Sequence, residues 1–311
     1  MSHSPTDRHA YGLRVRGLGH VTELAPAVPP DDRPTLTVRY DHTGPPPQPT
    51  GPDRERCARV LADGRRMSVR RDLSTATFHG PAPAPDLLAH PYLAAAAIVV
   101  NRWAGRESFH AGAFVSGGRA WAVLGARTAG KSSLLAALAA DGVPVLADDV
   151  LVTDGRDGFA GPRCLDLREP VPGADLATRP ARYATRLRVA LPPAPDRLPV
   201  GGWFFLRWRD GQPDTAPPGS RRDGGGPAVS PVPASDLLAR LAALRTWPEL
   251  PSDPAVLLAL ATLPAWDLVR PRGWWALDHT RRLIGRALRA PTEATPVTAP
   301  TDAVRPAGAT S

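Results

Sequence analysis

The sequence predicts an α/β protein: a small β-rich N-terminal region, then a larger domain built on a strand, a glycine-bounded loop and a helix. Three observations lead there. Short runs in the first ~80 residues alternate apolar and polar side chains, as half-buried strands do. The stretch Gly125–Gly130 stands between an apolar run and a helical one. Of 311 residues, 42% are apolar and 22% charged, which supplies a sizeable core and excludes wholesale disorder. A chain of this length makes one large domain or two modest ones.

Taken in order, residues 1–10 are expected to form a flexible tail. Tyr11–Arg16, Thr35–Tyr40, Arg66–Arg70 and Thr75–His79 read as strands of a small antiparallel region, with a Pro-rich loop at Pro45–Pro52. Asp86–Trp103 is Ala- and Leu-rich and stops at Gly105, so it reads as one core helix closing an N-terminal region of residues 11–104. The second domain spans residues 105–290. It opens with a hairpin, Phe109–Val115 and Arg119–Leu124, around Ser116-Gly117-Gly118, where glycines supply positive φ.

A helix at Lys131–Ala140, a stop at Gly142 and a strand at Val143–Ala147 follow. Phe204–Trp208 and Trp266–Val269 are further strands, and Gln212–Pro233 is a Gly/Pro/Arg-rich loop. Helices are expected at Asp236–Leu244, capped by Ser235, at Leu257–Leu263 and at Trp275–Leu288. Residues 291–311 read as a disordered tail.

Composition narrows the function. The net charge of +8 comes from 37 Arg and one Lys against 30 acidic residues. The Arg residues are scattered without a dense basic run or aromatic interleaving, so nucleic acid is not the expected partner. Cys57 and Cys164 make neither a disulfide framework nor a zinc cluster, which suits a reducing cytoplasm. Met1–Arg8 lacks the apolar core of a signal peptide. The longest apolar run, Tyr92–Val100, falls far short of the roughly 20 residues of a membrane span.

The single lysine, Lys131, sits where a compact ammonium would be needed rather than a planar fork. Gly125-Ala126-Arg127-Thr128-Ala129-Gly130-Lys131-Ser132 matches the phosphate-loop (Walker A) pattern G-x-x-x-x-G-K-[ST]. In such a loop the glycines allow close backbone approach, N–H groups wrap phosphate, the Lys reaches the outer phosphates and the Ser hydroxyl meets Mg²⁺. The required context is present, with Trp121–Leu124 entering and Ser132, Ser133 and Leu134–Leu138 leaving on a helix. ATP is therefore the expected nucleotide, contacted along residues 125–133, and Trp121 on the entering strand is expected to sense the loop's ordering.

One helix and one strand later come Asp148 and Asp149. If the Val143–Ala147 strand runs parallel beside Trp121–Leu124, the acids end up next to the loop, where ligands sit in open α/β sheets. One could hold Mg²⁺ while the other accepts a proton from an attacking hydroxyl. A transport ATPase would place its acid far downstream, and a GTPase would need a second lysine to read its base; neither fits.

The run from Phe109-His110 through Gly125, Gly130-Lys131-Ser132 and Asp148-Asp149 resembles the HPr kinase/phosphorylase family, and more closely the HPr-kinase-related proteins of bacterial peptide natural-product clusters. The specific match covers residues 109–150. The resemblance implies an α/β P-loop kinase domain of the HPr kinase/phosphoenolpyruvate carboxykinase type. It further implies ATP and Mg²⁺ as cofactors and a serine-type hydroxyl on a peptide or protein as acceptor. Residue by residue, Lys131 and Ser132 would hold phosphates and metal, Asp148 and Asp149 would serve as base and metal ligands, and His110 would line the transfer site. Arg127 and Thr128 stand where the relatives usually carry Ser and Gly, and Thr128 is strained wherever positive φ is needed.

Two other readings stay open at this level: an ATP-binding accessory protein that transfers nothing, and a small-molecule kinase. The second usually begins at its phosphate loop, whereas 124 residues precede Gly125 here. The sequence leaves the oligomeric state open, a homo-oligomer included.

Overall fold

The computed structural model describes residues 7–28, 32–44, 47–50, 53–61, 63–181, 186–209 and 226–289. Residues 1–6 of the expected tail at 1–10, the expected tail at 291–311 and most of the Gly/Pro/Arg-rich loop lie outside these residues.

The N-terminal region is a seven-stranded sheet made of β1 (Arg8–Ala10), β2 (Leu13–Arg16), β3 (Ala25–Pro26), β4 (Thr35–Asp41), β5 (Arg56–Val60), β6 (Arg66–Arg70) and β7 (Thr75–His79). Its order is β3-β1-β2-β4-β7-β6-β5. Residues 8–10, expected in the tail, are thus a strand. Arg8 secures them by donating to Gly19 O at 3.0 Å, and Tyr11-Gly12 turn the chain with φ of 56° and 70°. The sheet is mixed rather than antiparallel, because β4 runs parallel to both β2 and β7. A parallel neighbour needs a crossover. The segment after Gly17 provides it, burying Leu18, Val21 and Leu24 on the way.

The expected single helix is interrupted. α1 (Pro85–Leu87) and α2 (Leu93–Trp103) flank a wider turn at Leu88–Tyr92, within which His90 is extended at φ −154° and ψ 128°. Pro91 causes the break, since it has no N–H and forces the preceding residue out of the α region. α2 buries Leu93, Ala96, Ala97 and Val99, and packs with Leu13, Val15, Met67 and Phe78 in one core.

The second sheet has nine strands: β8 (Glu107–Phe109), β9 (Ala111–Ser116), β10 (Arg119–Leu124), β11 (Val145–Ala147), β12 (Leu151–Thr153), β13 (Asp157–Phe159), and, past a separate three-stranded sheet of β14 (Cys164–Leu167), β15 (Thr178–Ala181) and β16 (Arg186–Ala190), the strands β17 (Arg197–Trp208), β18 (Ala228–Pro231) and β19 (Ala265–Arg270). β18 corrects part of the expected 212–233 loop. β10, β17 and β19 lie side by side and parallel.

α3 (Lys131–Ala140) covers one face together with α6 (Leu277–Arg289), which follows a single 3₁₀ turn at Trp274–Ala276. α4 (Ala234–Ala243) and α5 (Pro254–Ala261) cover the other. Ser235 does not cap α4: Pro233 holds that position, and the Ser235 hydroxyl turns to Asp236. No helix among the described residues is long and apolar enough to cross a membrane.

Two local expectations about the site are corrected here. The hairpin strand does not begin at Phe109-His110: β8 pairs with β12, β9 pairs with β10, and His110 stands at the bend between them. β11 runs in the same direction as β10 but not beside it. β9 lies between, antiparallel to each, because the tight turn at Gly117-Gly118 has already filled that edge of β10.

Candidate functional site

β10 ends at Leu124 and α3 begins at Lys131, so the loop 125–130 joins a buried strand to a helix whose first turn has no side-chain cap. Uncapped N–H groups at a helix start attract an anion. Both loop glycines are forced by close approach. A Cβ on Gly125 would stand 2.4 Å from Leu206 O, and one on Gly130, at φ 86°, would stand 2.0 Å from Arg270 Nη2. Thr128 takes φ 70°, a left-handed conformation that costs a β-branched residue about 1–3 kcal/mol. Ala126, Arg127 and Thr128 are exposed, Ala129 is buried, and Ser132 and Ser133 are half-buried in the first turn of α3.

Lys131 is buried and folds back over the loop, its Nζ 2.9 Å from Gly125 O, 3.3 Å from Ala126 O and 3.0 Å from His110 Nε2. Burial lowers its pKa, opposed by the charges of Asp149 and Asp148.

The two acids follow β11 and separate at once, since Asp149 adopts φ 66°. Asp148, 8% exposed, accepts from the Ser132 hydroxyl at 3.0 Å. Asp149 meets His110, whose Nδ1 is 3.1 Å from the Asp149 carbonyl and 3.2 Å from its Oδ1. Burial and then the Asp149 charge push Asp148 up to about 6. Burial also works against the Asp149 charge. The hydrogen bond from His110, first, and the Lys131 charge outweigh it and hold Asp149 down at about 2. Their surroundings thus push the two carboxyls apart, Asp148 upward and Asp149 downward.

The sequence-predicted residues Lys131, Ser132, Asp148, Asp149 and His110 thus converge, even though β11 is not adjacent to β10. Three contributors escaped the sequence reading. His90, delivered by the break before α2, places Nε2 3.7 Å from Asp149 Oδ2. Arg188 holds that break by donating to the carbonyls of Asp86 at 2.8 Å and His90 at 3.2 Å, and its guanidinium is itself fixed by Asp166 at 2.7 Å. Trp208, at the end of β17, donates Nε1 to Thr128 O at 3.0 Å. The Pro after His90 was a visible break signal; nothing local in the sequence joins Arg188 or Trp208 to the loop.

Trp121 is not at the loop. Its indole packs against Phe204 and Trp266 and donates to Ser116 O at 3.1 Å, at the hairpin end of the strand.

No protein-family model matches the chain, and no curated protein matches it. Among solved structures the chain is similar to the Hpr(Ser) kinase/phosphatase from Coxiella burnetii, with 12% identity and a TM-score of 0.28 over 58% of this chain and 97% of that one. A similarity of this extent assigns neither an activity nor the role of any residue.

Proposed function

We propose that the chain is a Mg²⁺-dependent kinase that transfers the γ-phosphoryl group of ATP to a serine-type hydroxyl on a peptide or protein. The observation that carries this reading is the meeting of two pairs at one loop: Ser132 with Asp148 at 3.0 Å, and Lys131 with Asp149 through the His110 ring. The acceptor class is supported by the family resemblance of residues 109–150.

The residues present suit the groups implied. The uncapped start of α3, the two glycines and the buried Lys131 fit a triphosphate. Among the described residues no cluster of three or more metal-binding side chains occurs, so a divalent ion here would need substrate oxygens. Mg²⁺ is held in that way, by one or two carboxylates together with phosphate oxygens, and Ser132 with Asp148 would provide the protein's share. Bound there, the ion would neutralise charge on the triphosphate.

In this mechanism Lys131 neutralises the outer phosphates as a point charge. Asp149, more exposed than Asp148 and held by His110, orients the acceptor hydroxyl and takes its proton. The acceptor oxygen forms its bond to the γ-phosphorus as the bond to the bridging oxygen breaks, and ADP leaves. Positioning supplies most of the rate, so a carboxylate of low basicity suffices.

A non-transferring ATP-binding protein is the second reading. Thr128 at φ 70° favours it, because a strained loop constrains how the phosphates can be approached. Calorimetric titration with MgATP tests the shared premise of both. Lys131→Ala should lose most of the wild-type affinity and Lys131→Arg should also weaken it. Equal binding by wild type and Lys131→Ala would contradict both readings.

A further inference from the structure

Strands β17 and β19 end side by side, with Trp208 and Arg270 as register partners. The Arg270 guanidinium lies 4.2 Å from the Trp208 ring centroid, and its Nη2 is 3.2 Å from Ala129 O and 3.4 Å from Gly130 O. Trp208 in turn donates to Thr128 O at 3.0 Å. Three consecutive loop carbonyls, those of Thr128, Ala129 and Gly130, are therefore taken by donors from the sheet. Arg270 is 3% exposed, and among the described residues its Nε finds no acceptor and its guanidinium no carboxylate. A buried cation without a carboxylate partner is costly to keep, so its place beneath the loop calls for a function.

The same two side chains account for the loop's unusual backbone. A carbonyl turned toward the sheet points the N–H of the following residue the other way; the Ala129 N–H closes a turn on Ala126 O at 3.0 Å, which leaves those of Gly130 and Lys131 for an anion. Thr128 would ordinarily leave φ 70°, and the Trp208 indole ties down the carbonyl of that residue. Gly130 has to lack a Cβ because Arg270 and Trp208 occupy the space, at 2.0 and 3.3 Å from where the atom would be.

We propose that Trp208 and Arg270 form a clamp that sets the conformation of loop 125–130 before nucleotide arrives, with Arg270 as a positioning residue that also lends the loop a fixed positive charge. Its consequence for affinity rests on the nucleotide-binding reading above; the clamp itself does not. Through the clamp, the sheet holds Thr128 in a conformation it would otherwise leave. Replacing the residue at 128 by glycine should therefore make the clamp less necessary.

The test uses the full chain and two readouts. Arg270→Met keeps an unbranched side chain against Trp208 and removes the charge and the donors; Trp208→Phe keeps a smaller ring beside Arg270 and removes the bond to Thr128. Hydrogen exchange without ligand should become at least tenfold faster at the Ala129 amide, which donates to Ala126 O at 3.0 Å in the set loop, in each variant, with β10 and α3 unchanged. Titration with MgATP should show at least tenfold weaker binding by Arg270→Met, and adding Thr128→Gly should recover part of that loss. Unchanged exchange in both variants would overturn the clamp, as would an Arg270→Met loss that Thr128→Gly leaves untouched. If Arg270→Met fails to fold, Trp208→Phe decides by the same readouts. A wild type that binds no MgATP would sink the kinase reading and leave the clamp to be judged by exchange alone.

Discussion

Lys131 Nζ lies 3.0 Å from His110 Nε2, and this contact fixes where the imidazole proton resides. An ammonium can only donate, so Nε2 accepts and the proton is on Nδ1, which faces the Asp149 carbonyl and carboxylate. A neutral ring thus links a cation to an anion, and each holds the ring in place for the other.

Removing that link should release Asp149 without emptying the loop. His110→Ala is expected to lower single-turnover transfer at saturating ATP by about 10- to 100-fold, the scale of a misplaced catalytic group. MgATP affinity should change much less. Stopped-flow turnover alongside calorimetry separates the two, and a loss confined to affinity would count against the assignment.

Gly130 and Gly117 offer a controlled comparison of two left-handed glycines. Gly117, at φ 57°, has nothing within 4 Å of the place a Cβ would occupy. Gly117→Ala should cost only the left-handed penalty of about 1–2 kcal/mol. Gly130→Ala adds a collision with Arg270 and should both lower stability further and abolish MgATP binding. Denaturant unfolding and titration of the two variants check this.

Asp148 should make stability depend on pH. Its folded pKa is raised, to about 6, by burial and by Asp149. A raised pKa means the folded state binds the proton more tightly. The resulting stabilisation is complete below the unfolded pKa and is lost as pH rises through about 6. Asp148→Asn should therefore gain on wild type by about 2–3 kcal/mol between about pH 4 and about pH 8. Unfolding curves measured across that range would show the gap widening; a constant gap would mean the carboxyl is not held in this environment.

Arg188, buried with its partners Asp166 and Glu23, should be the most sensitive position outside the loop. Arg188→Met strands Asp166, while Glu23 keeps Arg179, and is expected to cost about 3–5 kcal/mol in urea unfolding. Adding Asp166→Leu should restore part of that. Because Arg188 also holds the carbonyls of Asp86 and His90, turnover in any folded variant should drop with the displacement of His90.

The site was more legible in the sequence than the fold around it. Lys131, Ser132 and the two acids are separated by one helix and one strand, so local periodicity alone places them near each other, and the motif states its own chemistry. The strands β6 and β7 were visible with their limits because they alternate cleanly between turns. What stayed hidden depends on partners far along the chain. β14 to β16 pair only with one another, and each gives a weak signal: β14 is buried on both faces, β15 contains a proline, and β16 alternates over four residues only. The crossover that makes the first sheet mixed is a short irregular segment whose buried Leu18, Val21 and Leu24 recur every three residues, a spacing of neither strand nor α-helix. Arg188 and Arg270 are two arginines among 37, and only the folded chain shows that each is buried against carbonyls.

Phosphoryl transfer itself is the most direct measurement. Wild type, Asp148→Asn and Asp149→Asn would be given γ-labelled ATP with Mg²⁺ and a pool of serine-containing peptides, under single-turnover conditions at saturating nucleotide. The kinase account predicts label on peptide serine with wild type and a fall of at least about 100-fold in each variant. ATP affinity should be largely kept, and only Asp148→Asn should shift the Mg²⁺ dependence. Near-wild-type transfer in both variants would contradict the account, and so would a wild type that binds ATP and labels nothing.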